Sequence, residues 1–203
     1  MDKAKIRLSA KEAELVANAD WILTKNGIIR KAKYILEQLQ FHQQEFLRLH
    51  PGMLPDEVIN IPPKISKGEN YNGLPYLVLD HPRYFEKGNH LAIRTMFWWG
   101  NFFSITLHLS GSYKNMYEVK LQRSFTMLQE EDLFICINDE EWEHHFEATN
   151  YRPLHGMDVH EFKMLMGKKK FIKLAKMYPL EVWENAENIL LTEFSAMIKW
   201  LAG

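Results

Sequence analysis

Between His90 and Leu109 two apolar runs alternate with a period of two residues around Trp99-Gly100-Asn101, and this feature constrains the chain most. Alternation sends successive side chains to opposite faces of a strand. Leu91, Ile93, Thr95 and Phe97 therefore share one face, and Ala92, Arg94, Met96 and Trp98 the other. In the second run Phe103, Ile105, Leu107 and Leu109 oppose Phe102, Ser104, Thr106 and His108. The pattern predicts an antiparallel hairpin, apolar on one face and mixed on the other, at the centre of the fold.

Helical patterns flank it. Ser9-Ala10-Lys11-Glu12 is a capping box, in which a hydroxyl and a carboxylate reciprocally satisfy the first free N–H groups of a helix. Leu15, Ala19, Ile22 and Leu23 follow at helical spacing, and Ile28, Ala32, Ile35, Leu36, Leu39 and Phe46 define a second stripe. Asn26-Gly27 between them reads as a stop or kink, giving a helical pair, hinged or folded back, over 9–50. Five of the eight prolines fall between Pro51 and Pro75. That density predicts an irregular covering loop over 51–75, held to the body by Ile59, Ile61 and Ile65. A sheet-centred body spans 76–178. Within it Tyr76-Leu77-Val78-Leu79 and Leu133–Ile137 read as strands, 113–128 as helix, and 142–149 as a further alternating strand. Asp158 caps a helix toward Met166, and 171–178 fits either type. Val182, Trp183, Ala186, Ile189, Leu190, Phe194, Met197, Ile198 and Leu201 give a helix over 180–201. The expectation is one α+β domain over 1–203, with a mainly antiparallel sheet of about four to six strands packed by the helical pair and the last helix.

Composition excludes several function classes. A formal net charge of -1 provides no global field toward nucleic acid or membrane. No apolar stretch is long enough to span a bilayer, and the amino terminus has no apolar signal core, so the expected location is the cytoplasm. The single cysteine, Cys136, lies in an apolar run and reads as a buried structural thiol. Glycine-rich phosphate loops, nucleophile elbows, His-Glu-x-x-His and paired cysteines are absent, so no cofactor is expected.

Four features could carry chemistry. Arg94 is the one formally charged residue between Lys87 and Lys114. A guanidinium in so apolar a segment needs a carboxylate (Asp80, Glu69 or Glu118) or an anionic ligand. Phe97–Phe103 holds five aromatic rings in seven residues, of which one sheet face buries half; the others need a second layer, a pocket or a dimer surface. Arg94, Trp98 and His108 on one face, with Trp99 at the turn, outline a binding wall for a small molecule or a protein partner. His144, His155, His160 and Glu161 carry the donors of a zinc-type site, although their spacing fits no ligand pattern, and on a strand His144 and His145 diverge. Finally, the acids of 130–147 are followed by a basic stretch from Lys163 through Lys168, Lys169, Lys170 and Lys173 to Lys176. The two read as faces that pair with each other; a nucleic-acid surface is the alternative for the lysines. The leading expectation is a non-catalytic ligand- or protein-binding domain. A metal-dependent or acid/base enzyme built on His144–His160 is the second, and weak nucleic-acid binding the third.

Overall fold

The computed structural model describes residues 6–202. Its fold is α+β, with one fully antiparallel sheet of seven strands. In chain order these are β1 (Lys64–Tyr71), β2 (Leu74–Glu86), β3 (Asn89–Trp98), β4 (Phe102–Ser110), β5 (Phe134–Cys136), β6 (Tyr151–Pro153) and β7 (Phe171–Pro179). Their spatial order is β1-β2-β3-β4-β7-β5-β6. The helices are α1 (Ala10–Ala17), α2 (Ala19–Leu49), α3 (Asp56–Ile59), α4 (Gly111–Arg123), α5 (Phe125–Glu130), α6 (Val159–Lys168) and α7 (Ala186–Ala202).

The β3–β4 hairpin lies where its alternation puts it, with Phe97 opposite Phe103 and Leu91 opposite Leu109. Leu91, Ile93, Phe97, Phe103, Ile105, Leu107 and Leu109 face the helices, where α2, α4 and α7 bury Leu36, Leu39, Leu121, Leu190 and Phe194 against them. The Trp183 ring lies 5.7 Å from Phe97 and 5.6 Å from Phe103, edge-on and tilted respectively. The aromatic run thus divides between two layers. Trp98 and Phe102 turn to the opposite face, where Phe146 meets Phe102 edge-on at 5.2 Å.

That second layer corrects the sequence reading. Residues 142–149 form no strand; 137–150 is an irregular segment lying across the sheet. Its alternation is a by-product of Trp142, His144 and Phe146 reaching the same surface. Two further elements differ from the sequence reading. The break between α1 and α2 is at Asn18, whose side chain accepts from the Trp21 N–H at 3.2 Å, and α2 runs unbroken through Asn26-Gly27. A glycine inside a helix costs about 1 kcal/mol relative to alanine, which burial of the Ile29, Ala32, Leu36 and Leu39 stripe outweighs. The proline-rich connection contains α3 and the polar edge strand β1. Segment 171–178, which fits either type by pattern, is strand β7, between β4 and β5 in the sheet. Counting β1 and the three-residue strands β5 and β6 raises the total above six.

His81, at the register shift of β2, turns into the helix layer and stacks on Phe194 with centroids 6.3 Å apart. It is 3% exposed and neither ring nitrogen has a hydrogen-bond partner. Burial pushes its pKa down to about 4. The unfolded chain therefore takes up this proton first as pH falls. The stabilising contribution is complete above about 6.5, the ordinary histidine value, and is lost progressively as pH drops toward about 4. The expected result is that His81→Phe removes about 3 kcal/mol of acid sensitivity over that window. Urea titrations of both proteins at several pH values measure it, and parallel stability–pH curves would count against a neutral buried imidazole.

Candidate functional site

The loop-facing side of the sheet carries an unusual density of polar groups, and strand register dictates their neighbours. Arg94 on β3 stands between Asp80 on β2 and Thr106 on β4. One row on, Ala92, His108 and Lys173 lie side by side across β3, β4 and β7. Arg94 grips Asp80 bidentately, Nε to Oδ1 at 2.7 Å and Nη2 to Oδ2 at 2.9 Å. Of the three carboxylates the sequence offered, the register selects Asp80. The remaining arm of the guanidinium, Nη1, donates to His144 Nε2 at 3.0 Å. Arginine has no acceptor, so His144 is neutral there with its proton on Nδ1. Burial, with the nearby charges of Lys173 and Arg94, holds its pKa well below the usual value. The Trp142 ring closes over the guanidinium, its centroid 5.7 Å from Cζ, within cation–π range.

The covering segment is fixed mainly through its backbone. Lys173 Nζ donates to the Glu141 carbonyl at 2.9 Å and the Glu143 carbonyl at 2.6 Å. Lys169 Nζ donates to the Ile137 carbonyl and to Asp139, both at 2.6 Å. The Tyr71 hydroxyl accepts from the N–H groups of His144 at 2.7 Å and His145 at 3.0 Å, and donates to Glu143 at 2.9 Å. Asn150 Nδ2 donates to the His145 carbonyl at 2.6 Å. The acidic and basic stretches thus meet, with Lys176 pairing on the helix side with Glu131 and Glu193. Lys173 and Lys176 are buried on opposite faces of β7, so the stretch presents no continuous basic surface; Lys163, Lys168 and Lys170 stay exposed.

At one end of the strands the covering segment stops short of α4 and α6, leaving a cleft of about 960 Å³. His90, Glu141, Trp142, Phe171, Lys114 and the Lys168–Lys170 corner line it. Its back wall is the start of α4, set tightly against the β2–β3 turn. Gly111 has φ +56°, and a Cβ there would fall 2.1 Å from Asn89 Oδ1 and 2.2 Å from the Gly88 carbonyl, so only glycine fits.

Where cleft and covered surface meet, His90, His108 and Glu141 converge. One nitrogen of each imidazole and a carboxylate oxygen all lie within 4.8 Å of one another, the group of this kind among the described residues. Glu141 Oε2 is 3.3 Å from His108 Nε2 and 3.6 Å from His90 Nδ1. Burial pushes the His108 pKa down to about 4 despite Glu141. The hydrogen bond from His108 holds the Glu141 carboxyl below its ordinary range. Trp142 packs on both imidazoles, with centroids 5.4 Å from each.

No protein-family model, curated protein or solved structure matches the chain. Among the sequence candidates, Arg94 and His108 lie under the same segment, but Arg94 is held by Asp80. Trp98 is buried toward the far end of the strands, donating to the Tyr71 carbonyl at 3.1 Å. Trp99, half-buried at the turn, packs against the helix-side core. The four residues do not form one wall. Nor do His144, His155, His160 and Glu161 assemble: His144 is bound to Arg94, His155 and His160 are exposed, and Glu161 pairs with Arg152. Sequence reasoning missed His90, Glu141 and Lys173 as a group. Parity alone places His90 on the face of Arg94 and His108, whereas Glu141 comes from irregular chain and has no periodic signal.

Proposed function

We propose that the protein is a non-catalytic binding domain for a small anionic molecule, taken up in the cleft between the covering segment, α4 and α6. The observation that carries this reading is the composition of the rim. Lys168 and Lys170 are exposed and enter no ion pair among the described residues, while Asp139 is neutralised by Lys169 and Glu141 faces two imidazoles, so Glu140 is the one exposed lining carboxylate set against these two lysines. The amino terminus of the 13-residue helix α4 adds to them. It has no acidic residue in its first turn; the Ser112 N–H is already taken by Asn89 Oδ1 at 2.8 Å, so the dipole favours an anion through the remaining N–H groups of that turn. The cleft volume is that of small-molecule sites, and Trp142 and Phe171 provide apolar contact area. The described residues include no helix long and apolar enough to cross a membrane. One buried thiol needs no oxidising compartment, which supports placing the protein in the cytoplasm.

The test is thermal unfolding of the full chain in chelator, with orthophosphate, citrate and nucleoside monophosphates as probes. A ligand at ten times its Kd stabilises by about 1.4 kcal/mol, a rise of about 3–5 °C for a chain of this size. Lys168→Glu combined with Lys170→Glu is expected to abolish the rise and its salt dependence without lowering the unliganded midpoint. A rise of equal size in the double variant, or none with any probe, would remove the cleft from consideration.

A further inference from the structure

The arrangement of His90, His108 and Glu141 is better explained by an ion than by hydrogen bonding. One carboxylate oxygen serves both imidazoles, at 3.3 Å and 3.6 Å. The first is a hydrogen bond longer than the roughly 2.7–3.2 Å of good N–H···O bonds, and the second is no hydrogen bond at all. His90 is 8% exposed, and its Nδ1 is buried with no hydrogen-bond partner, although it is the atom directed at Glu141. An unpartnered buried imidazole nitrogen is costly. Atoms bound about 2.0–2.1 Å from a tetrahedral ion lie roughly 3.3–3.4 Å from one another. The His108–Glu141 separation matches that spacing and the His90–Glu141 separation exceeds it by about 0.2 Å.

We propose that His90, His108 and Glu141 bind a divalent transition-metal ion of the zinc class, with its remaining coordination position open to the cleft. Two imidazole nitrogens and one carboxylate oxygen form a donor set suited to such an ion and unsuited to calcium or magnesium, which prefer oxygen alone. Two of the three ligands come from adjacent central strands, so the site is held on rigid elements. The third is delivered by the covering segment, whose backbone Lys173 anchors at the Glu141 carbonyl. Trp142 packs on both rings and restricts their rotation. The neighbouring cations are already engaged, Arg94 by Asp80 and Lys173 by two carbonyls. His90 and Glu141 line the cleft, which leaves a free coordination position facing it. One carboxylate leaves the bound ion with net positive charge. A carboxylate, a phosphate or water can occupy the open position.

This inference stands apart from the anion reading, since three ligands hold an ion whether or not the cleft takes a second molecule. The full chain, stripped with chelator and exchanged into metal-free buffer, is titrated with Zn²⁺ calorimetrically and with Co²⁺ by visible absorption. The expected result is one ion per chain, with a Co²⁺ spectrum of low coordination number. Glu141→Gln preserves the shape of a partly exposed side chain and the carbonyl that Lys173 holds. It is expected to weaken zinc affinity by about 100-fold or more, a loss at least as large as those seen on altering outer-shell partners. His90→Gln gives the same loss through an independent ligand, and His160→Gln, at an exposed position, gives none. Circular dichroism establishes that each variant is folded. Absence of binding at micromolar zinc, or unchanged affinity in folded Glu141→Gln and His90→Gln proteins, overturns the proposal. Zinc binding without an orthophosphate response in chelator would leave the metal site and remove only the anion reading.

Discussion

Asp80→Ala is expected to destabilise the protein by about 3–5 kcal/mol, because it strands the Arg94 guanidinium beneath the covering segment without its carboxylate. Arg94 has a side-chain exposure of 19% and Asp80 of 9%, so solvent replaces little of the lost contact. The cost arises from the unpaired charge more than from the loss of an attractive pair. A distinct second expectation follows from this. The combination of Asp80→Leu with Arg94→Met removes both charges and is expected to recover most of the loss, since buried ion pairs are often replaceable by apolar residues of similar volume. His144 loses its donor in that protein, which limits the recovery. Denaturant titration of the single and double variants measures both effects. A midpoint for Asp80→Ala within experimental error of the parent would mean that water reaches the guanidinium freely.

Lys173→Met should produce the second large effect, of a different kind. The ammonium is 1% exposed as a residue and donates to two main-chain carbonyls. Methionine fills much of the volume but leaves both carbonyls without their donor. Hydrogen bonds to a charged group contribute about 1.5–3 kcal/mol each, so a loss of about 3 kcal/mol is expected after partial relaxation. The loss falls on one segment. Amide exchange should accelerate across 137–150 while the β3–β4 hairpin retains its protection. Uniform acceleration through the sheet would instead show that Lys173 supports the fold as a whole.

How much of this was legible in the sequence depends on the type of residue involved. The β3–β4 hairpin could be read because its alternation is long and its apolar face is covered by helices along its whole length. Strand β7 could not, since Lys173 and Lys176 interrupt the apolar pattern on both faces; each is buried by a partner far along the chain, Glu131 and Glu193 for one and the Glu141 and Glu143 carbonyls for the other. Residues 142–149 show the reverse error: real alternation with no neighbouring strand to pair with. In the first helices, the stripe of Leu15, Ile22 and Leu23 is exposed, whereas Ala32, Leu36 and Leu39 enter the core. Helical periodicity identified both stripes but not which one has a partner. At the candidate site, the charged isolation of Arg94 correctly signalled a need for a counter-ion. The convergence of His90, His108 and Glu141 depends on how an irregular segment lies, and local pattern carries no information about that.

The way this segment is held has a consequence for how the protein could diversify. Lys169 and Lys173 hold main-chain carbonyls, and Tyr71 accepts main-chain N–H groups. These groups are present whatever side chains the segment bears. Its path is thus encoded largely outside itself, in β1 and in the lysines at and after the end of α6. Exposed positions such as Glu140, Glu147, Ala148 and Thr149 can therefore be exchanged while the backbone keeps its course. Such a segment can acquire new recognition chemistry one residue at a time, as a grafted loop does on an inert frame.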